Sequence, residues 1–260
     1  MRGVIMAGGS GTRLSPLTKS VNKHLLPIFD KPLIYYPLST LMLSGIREII
    51  LVSSPKEIEN FSTLLGDGSQ FGISITYASQ HEPKGIAQGL LITEEFIKNQ
   101  KIGFILGDNV FHGHGLGRQL SQHNNVSGAQ IFAYQVSDPE KYGVLELDSS
   151  EKVVGIEEKP KVPKSNLAVT GLYFFDEQVC DIAKSLAPSA RGELEITDVN
   201  KHYLQQGNLG VTVLSRGTAW LDTGTFEGLH DASSYIKIVQ ERQNASVGNP
   251  LDVALAQGWI

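Results

Sequence analysis

One cysteine in 260 residues, Cys180, excludes an intrachain disulfide and fits a reducing, cytoplasmic setting. No apolar run is long enough to span a bilayer, and no charged and apolar leader precedes the first strand-like segment. Asn60-Phe61-Ser62, Asn125-Val126-Ser127 and Asn244-Ala245-Ser246 are therefore read as chance matches to the glycosylation pattern. The net charge is −5 with no basic stripe, which argues against a nucleic-acid partner. No Pro/Gly/Ser-rich linker and no repeat divides the chain. What remains is an ordinary globular composition, 41% hydrophobic and 19% charged, with isolated cations at Arg13, Lys19, Lys23 and Lys159. Lone cations in an acidic chain suggest a small anionic ligand held locally.

Hydrophobic runs and breakers alternate along the first half. Gly3 to Ala7 reads as a buried strand stopped by glycines, Leu33 to Ser44 as a helix ended by Gly45, and Glu48 to Ser53 as a second strand. A helix at Lys56 to Leu65, a strand at Ile73 to Ala78, a helix at Ile86 to Lys98 and a strand at Ile102 to Leu106 continue the pattern. Such alternation predicts a largely parallel sheet with helices on both faces. Ligands of such sheets sit beyond the carboxyl ends of the strands, which here carry Gly8-Gly9-Ser10-Gly11, Gln80 and Asp108. The second half predicts strands at Gln130 to Val136, Gly143 to Leu147, Val153 to Glu157, Val169 to Phe175 and Val211 to Leu214. Its helices are expected at Gln178 to Leu186, Leu194 to Gln205 and Thr225 to Arg242. The expected organisation is one α/β domain over 1–260, with a nucleotide-binding half to about 125, a sugar-phosphate half to about 242 and a short C-terminal segment.

Gly8-Gly9-Ser10-Gly11-Thr12-Arg13 follows the first strand directly. Glycines there let backbone N–H groups approach a phosphate. The dinucleotide fingerprint fails, because Leu14 stands where a third glycine belongs, and no Gly-Lys-Ser/Thr completes a Walker loop. A plain tight turn would account for the glycines alone, but less well for the cations that follow them. Arg13 can grip two phosphate oxygens with its planar fork, and Lys23 acts as a point charge.

Met6-Ala7-Gly8-Gly9-Ser10-Gly11-Thr12-Arg13-Leu14 resembles the signature of sugar-nucleotide pyrophosphorylases. Further blocks narrow the resemblance to the branch that joins dTTP to glucose 1-phosphate. They include Lys23-His24-Leu25-Leu26-Pro27, Leu106-Gly107-Asp108-Asn109, Tyr142-Gly143-Val144, Glu157-Glu158-Lys159-Pro160, Val169-Thr170-Gly171-Leu172-Tyr173 and Ala219-Trp220-Leu221-Asp222-Thr223-Gly224-Thr225. The likeness runs to about Arg242. It implies a Rossmann-like three-layer α/β/α fold of the nucleotide-diphospho-sugar transferase type, with a mixed, mostly parallel sheet.

The resemblance also implies roles. Asp108 and Asp222 would hold Mg²⁺, whose hard charge suits carboxylates and phosphate oxygens. Arg13 would stabilise the α-phosphate and departing pyrophosphate, Lys23 would hold the triphosphate, and Lys159 the phosphate of the sugar. Gly8, Gly9, Ser10, Gly11 and Thr12 would wrap the nucleotide, while Gln80 and Gly85 would recognise thymine, Gly85 by leaving room for the ring. Tyr142, Gly143, Glu158, Val169 and Thr170 would form the sugar pocket. The implied partners are dTTP, with UTP as the alternative, and glucose 1-phosphate; the implied assembly is a homotetramer. Arg191, Glu193 and Glu195 read as structural ion pairs, and His112, His114 and His123 as surface histidines rather than metal ligands. Departures such as His24, where the family commonly has glutamine, leave every proposed catalytic group intact. Gly117, Asp252 and the short C-terminal segment lead us to expect a weakened feedback site.

Overall fold

The first strand, β1 (Arg2–Met6), sends Val4 and Met6 into one apolar layer, and Ile5 with the following Ala7 into another. That is how a parallel strand covered on both faces is buried. In this computed structural model, which describes residues 1–9 and 11–260, β1 runs parallel to β4 (Glu48–Ser53) on one side and β6 (Ile102–Leu106) on the other. β5 (Ser74–Ser79) extends the parallel block beyond β4.

The block then changes direction. β11 (Leu167–Phe175) lies antiparallel to β6, and β8 (Ala129–Gln135) antiparallel to β11. β12 (Leu209–Val213) is parallel to β8. The hairpin β9 (Gly143–Leu147) and β10 (Val153–Glu158) joins the first half of β11 through Ala168. Among the described residues the main sheet has nine strands, in the path β10-β9-β11-β6-β1-β4-β5 with β8 and β12 alongside β11. This is the mixed sheet with a parallel centre that the alternation of elements predicts.

Helices cover both faces. α1 (Tyr35–Leu43) and α2 (Pro55–Leu65) place Leu38, Leu41 and Phe61 against Ile5, Leu51 and Ile105. On the opposite face lie α3 (Gln88–Ile92), α4 (Glu94–Ile97), α6 (Val179–Ser185) and α7 (Ile196–Gln205); Leu90, Ile182 and Val199 meet Val4 and Phe104 there. α5 (Leu116–Ser121) packs on α1. α8 (Phe226–Gln243) buries Ala232 and Ile236 with Ile28 and Tyr36 in a third cluster, beside the short pair β2 (Pro27–Ile28) and β3 (Lys31–Pro32).

One prediction of local structure needs correction, and three elements were not predicted. The single helix expected at Ile86 to Lys98 is two short ones, broken at the fully buried Thr93, whose hydroxyl donates back to the Gly89 carbonyl at 2.7 Å. The same carbonyl keeps the Thr93 N–H bond at 3.0 Å, and such back-bonding bends helices. Two strands went unseen, β7 (Asn109–Gly113) and β13 (Thr218–Asp222), which among the described residues pair only with each other. The short C-terminal segment holds the third, a helix: α9 (Pro250–Ala256) packs on α1, burying Val253 and Ala254, while Trp259 lies over Gly72 with Arg47 5.2 Å from its ring.

The strand ends meet at one edge. Ala7 N–H donates to Val52 at 2.8 Å, Gln80 N–H to Ser53 at 2.7 Å and Gly107 N–H to Met6 at 2.8 Å. These bonds carry the pairing just past the strands and set the starting points of three loops. Deleting residues 248–260 should uncover the α1 face and cost about 3–5 kcal/mol of stability. Urea unfolding of the shortened and full chains would measure it; an unchanged midpoint would contradict the packing described.

Candidate active site

The glycine loop turns through left-handed backbone at Gly9 (φ 95°) and Gly11 (φ 60°), conformations that side chains resist. Gly8 has a different reason to be glycine, because a Cβ there would occupy the space of Gln80 Oε1. Thr18 Oγ1 donates to the Gly11 carbonyl at 2.8 Å, and buried Leu14 anchors the following 3₁₀ turn at Thr12–Leu14. Arg13 is thereby left at the mouth of a cavity of about 380 Å³. Ser10 lies outside the described residues.

Asp108 and Asp222, 114 positions apart, line this cavity together. The small sheet brings them there: Asp222 is in register with Asn109, and Thr223 donates to the Asp108 carbonyl through both N–H (3.1 Å) and Oγ1 (2.8 Å). Lys23 Nζ lies 2.5 Å from Asp108 Oδ2. Burial alone would raise the Asp108 carboxyl, but the Lys23 ammonium outweighs it and holds the group below its ordinary range. Asp222 has no such partner. Burial first, and the Asp108 charge second, push it up to about 6. Beside them His24 is buried and held neutral, lowered to about 3 by burial and by Lys23, with Nδ1 2.7 Å from Asn22 Oδ1.

Two facing carboxylates with hard oxygens fit a divalent cation that keeps other ligands from water or phosphate. Among the described residues no group of three or more His, Cys, Asp or Glu side chains could cage an ion. His112, expected on a surface loop, is instead half-buried in β7 with Nδ1 2.8 Å from the Tyr235 hydroxyl. His123 packs on the rings of Phe132 and Phe174.

The remaining walls come from both sides of the sheet. Gln80 and Gly85 follow β5, whereas Tyr142, Gly143, Glu158, Lys159 and Val169 lie on or beside β9, β10 and β11. Glu158 Oε2 accepts from Thr197 Oγ1 at 2.6 Å; its Oε1 is 3.5 Å from Arg191 and 3.9 Å from Lys159. Lys159 adopts left-handed backbone (φ 46°), and its N–H donates to Tyr142 at 2.9 Å. A non-glycine residue held so is strained, a feature that clusters at functional sites. Arg191 pairs with Glu195 through two hydrogen bonds of 3.1 and 2.8 Å, as an ion-pair reading expects, yet it also lines the cavity.

The chain matches the profile of the family described as Nucleotidyl transferase over residues 2–238. The chain belongs to the nucleotidyl transferase family. It is 55% identical to a glucose-1-phosphate thymidylyltransferase of Mycolicibacterium smegmatis over its whole length and 90% of that protein. A crystal structure of a protein assigned as a glucose-1-phosphate thymidylyltransferase from Bacillus anthracis, in complex with a sucrose, is 39% identical. It superposes with a TM-score of 0.86 over 97% of this chain and 99% of that one. A UDP-glucose pyrophosphorylase solved with UDP-glucose is more distant, at 27% identity and a TM-score of 0.78 over 91% and 98%.

Two details of this nucleotidyltransferase add to the expectation. Gly85 lines the cavity, and its φ of 102°, with the Leu194 backbone where a Cβ would stand, is a further reason for glycine there. Thr170 is fully buried, and its side chain does not line the cavity, whereas Val169 and Gly171 do. Val169, Gly171 and Tyr173 line the cavity while Ala168, Leu172 and Phe174 face the other layer, so Thr170 stands on the far face of the strand.

Sequence reasoning also passed over Asn109, which is buried. Its Oδ1 accepts from Trp220 Nε1 (2.6 Å) and Gly171 N–H (3.0 Å), which leaves Nδ2 to donate to Asp108 Oδ1 at 3.0 Å. The only signal was its place beside Asp108.

The pair of carboxylates has a testable cost. At neutral pH an ionised Asp222 destabilises the metal-free fold, because its folded value lies above its unfolded one. Asp222→Asn should abolish turnover yet raise the metal-free melting temperature at pH 7.5 by about 2–6 °C. The gain should shrink as pH falls from about 6 to about 4, where the wild-type carboxyl takes up its proton. Calorimetry across that range would check it, and a lower melting temperature for the variant at pH 7.5 would refute it.

Proposed function

We propose that the chain transfers a thymidylyl group from dTTP to glucose 1-phosphate, giving dTDP-glucose and pyrophosphate, as an entry to dTDP-deoxysugar synthesis. One observation carries the reading. Along the sheet path, Gln80 (after β5), the glycine loop (after β1), Asp108 (after β6) and Glu158 with Lys159 (at β10) succeed one another around a single cavity. That order suits a base, its phosphates, a metal and a sugar phosphate laid end to end.

The chemistry asks little of covalent catalysis. Above its second pKa of about 6, a phosphate monoester already offers a nucleophilic oxygen, so no general base is required. That oxygen forms the new bond to the α-phosphorus as the bond to the bridging oxygen of pyrophosphate breaks. The difficulty is bringing two anions together, and positioning with charge neutralisation addresses it.

In this reading Arg13 and Lys23 hold the triphosphate, with Gly8, Gly9, Gly11 and Thr12 shaping the loop around it. Lys159 holds the sugar phosphate, while Glu158, fixed by Thr197, accepts from sugar hydroxyls beside Tyr142, Gly143 and Val169. Asp108 and Asp222 would hold Mg²⁺, which supplies positive charge to phosphate oxygens.

Pyrophosphate release should require Mg²⁺ and be fastest with dTTP and glucose 1-phosphate in a panel including UTP and other sugar 1-phosphates. No turnover with any pair would sink the proposal. Asp108→Asn should lower kcat about 10²-fold or more with the fold retained. Lys159→Ala should raise KM for the sugar phosphate about tenfold or more while that for dTTP moves little. An equal rise for both would remove Lys159 from that role.

A further inference from the structure

Gln88, the first residue of α3, does not line the cavity. Its side chain nonetheless controls one that does. The Lys84 backbone N–H donates to Gln88 Oε1 at 2.9 Å. A backbone N–H can only donate, so the amide atom that meets it must be the oxygen. That oxygen also faces Gln80 at 2.8 Å, so Gln80 must turn its nitrogen toward Gln88. The Gln80 oxygen is thereby sent the other way, over Gly8, and both Gln80 and Gly8 line the cavity. Without Gln88 nothing in this chain of bonds would choose between the two faces of the Gln80 carboxamide.

We propose that Gln88 is a specificity-positioning residue, locking Gln80 so that a carbonyl oxygen meets the base and selects an imide N3–H. Thymine and uracil carry that N–H. Cytosine presents a lone pair at the same atom, setting two acceptors against each other. Gln80 is 5% exposed, so little water can relieve the mismatch, and unpaired buried polar groups are what give strong discrimination. The inference rests on the assignment of Gln80 to the base made above.

The test is nucleotide choice, read as kcat/KM for dTTP against dCTP at saturating glucose 1-phosphate. In Gln88→Leu the ratio should fall about tenfold or more, mainly through KM for the nucleotide. Gln88→Met takes its place should the leucine variant fail to fold. Gln88→Glu presents oxygens to the same two donors and should keep the ratio within about threefold of the parent. Gln80→Leu should abolish the discrimination. A ratio lost in Gln80→Leu but kept in Gln88→Leu overturns the inference and leaves the base site standing. A ratio unmoved in both overturns the base site itself. Loss in Gln88→Glu as well as Gln88→Leu makes packing the cause rather than hydrogen-bond polarity, and also overturns the inference.

Discussion

Two carboxylates sharing a buried cleft repel each other, and the arrangement of Asp108 and Asp222 has to be imposed by the rest of the fold. Lys23 neutralises one of them at 2.5 Å. The other is left with a raised pKa and, among the described residues, only the Gly224 N–H, at 3.1 Å, as a hydrogen-bond donor. The pair persists because backbone holds it. Thr223 grips the Asp108 carbonyl twice, and the β7–β13 pairing sets Asp222 opposite Asn109. In the metal-holding role proposed for the pair, function would cost stability, as is common where like charges are gathered for a ligand of opposite sign.

Polarity of hydrogen bonds is the second theme. At both Asn109 and Gln88 an obligate donor, an indole or backbone N–H, fixes which end of an amide is oxygen. An amide is chemically ambidextrous, and an obligate donor behind it removes the ambiguity. The choice is then passed to a cavity group, Asp108 in one case and Gln80 in the other.

Much of the sheet was readable from periodicity. β4, β6 and β9 occur at their expected bounds, since apolar runs of five or six residues ended by glycine or polar breakers have few other uses. β7 and β13 were not readable: Asn109–Gly113 and Thr218–Asp222 are short, half polar, and gain their partners only from each other. The break at Thr93 was likewise hidden, because the helical pattern continues through it while a side-chain hydroxyl adds a second donor to the Gly89 carbonyl. Thr170 came with Val169 through the resemblance, but neighbours on a strand face opposite ways and only Val169 turns to the cavity.

For the cavity, the ends of the predicted strands already gathered the glycine loop, Gln80 and Asp108, with Arg13 and Lys23 close behind the loop. Asp222, Glu158 and Lys159 joined them through the resemblance to sugar-nucleotide pyrophosphorylases. Only the tertiary structure decided which partner each group keeps. Lys23 on Asp108, Thr197 on Glu158, Leu194 against Gly85 and Gln88 behind Gln80 join separate elements. Such pairings depend on where the sheet sets its loops, and no local pattern of side chains encodes a distance across that sheet.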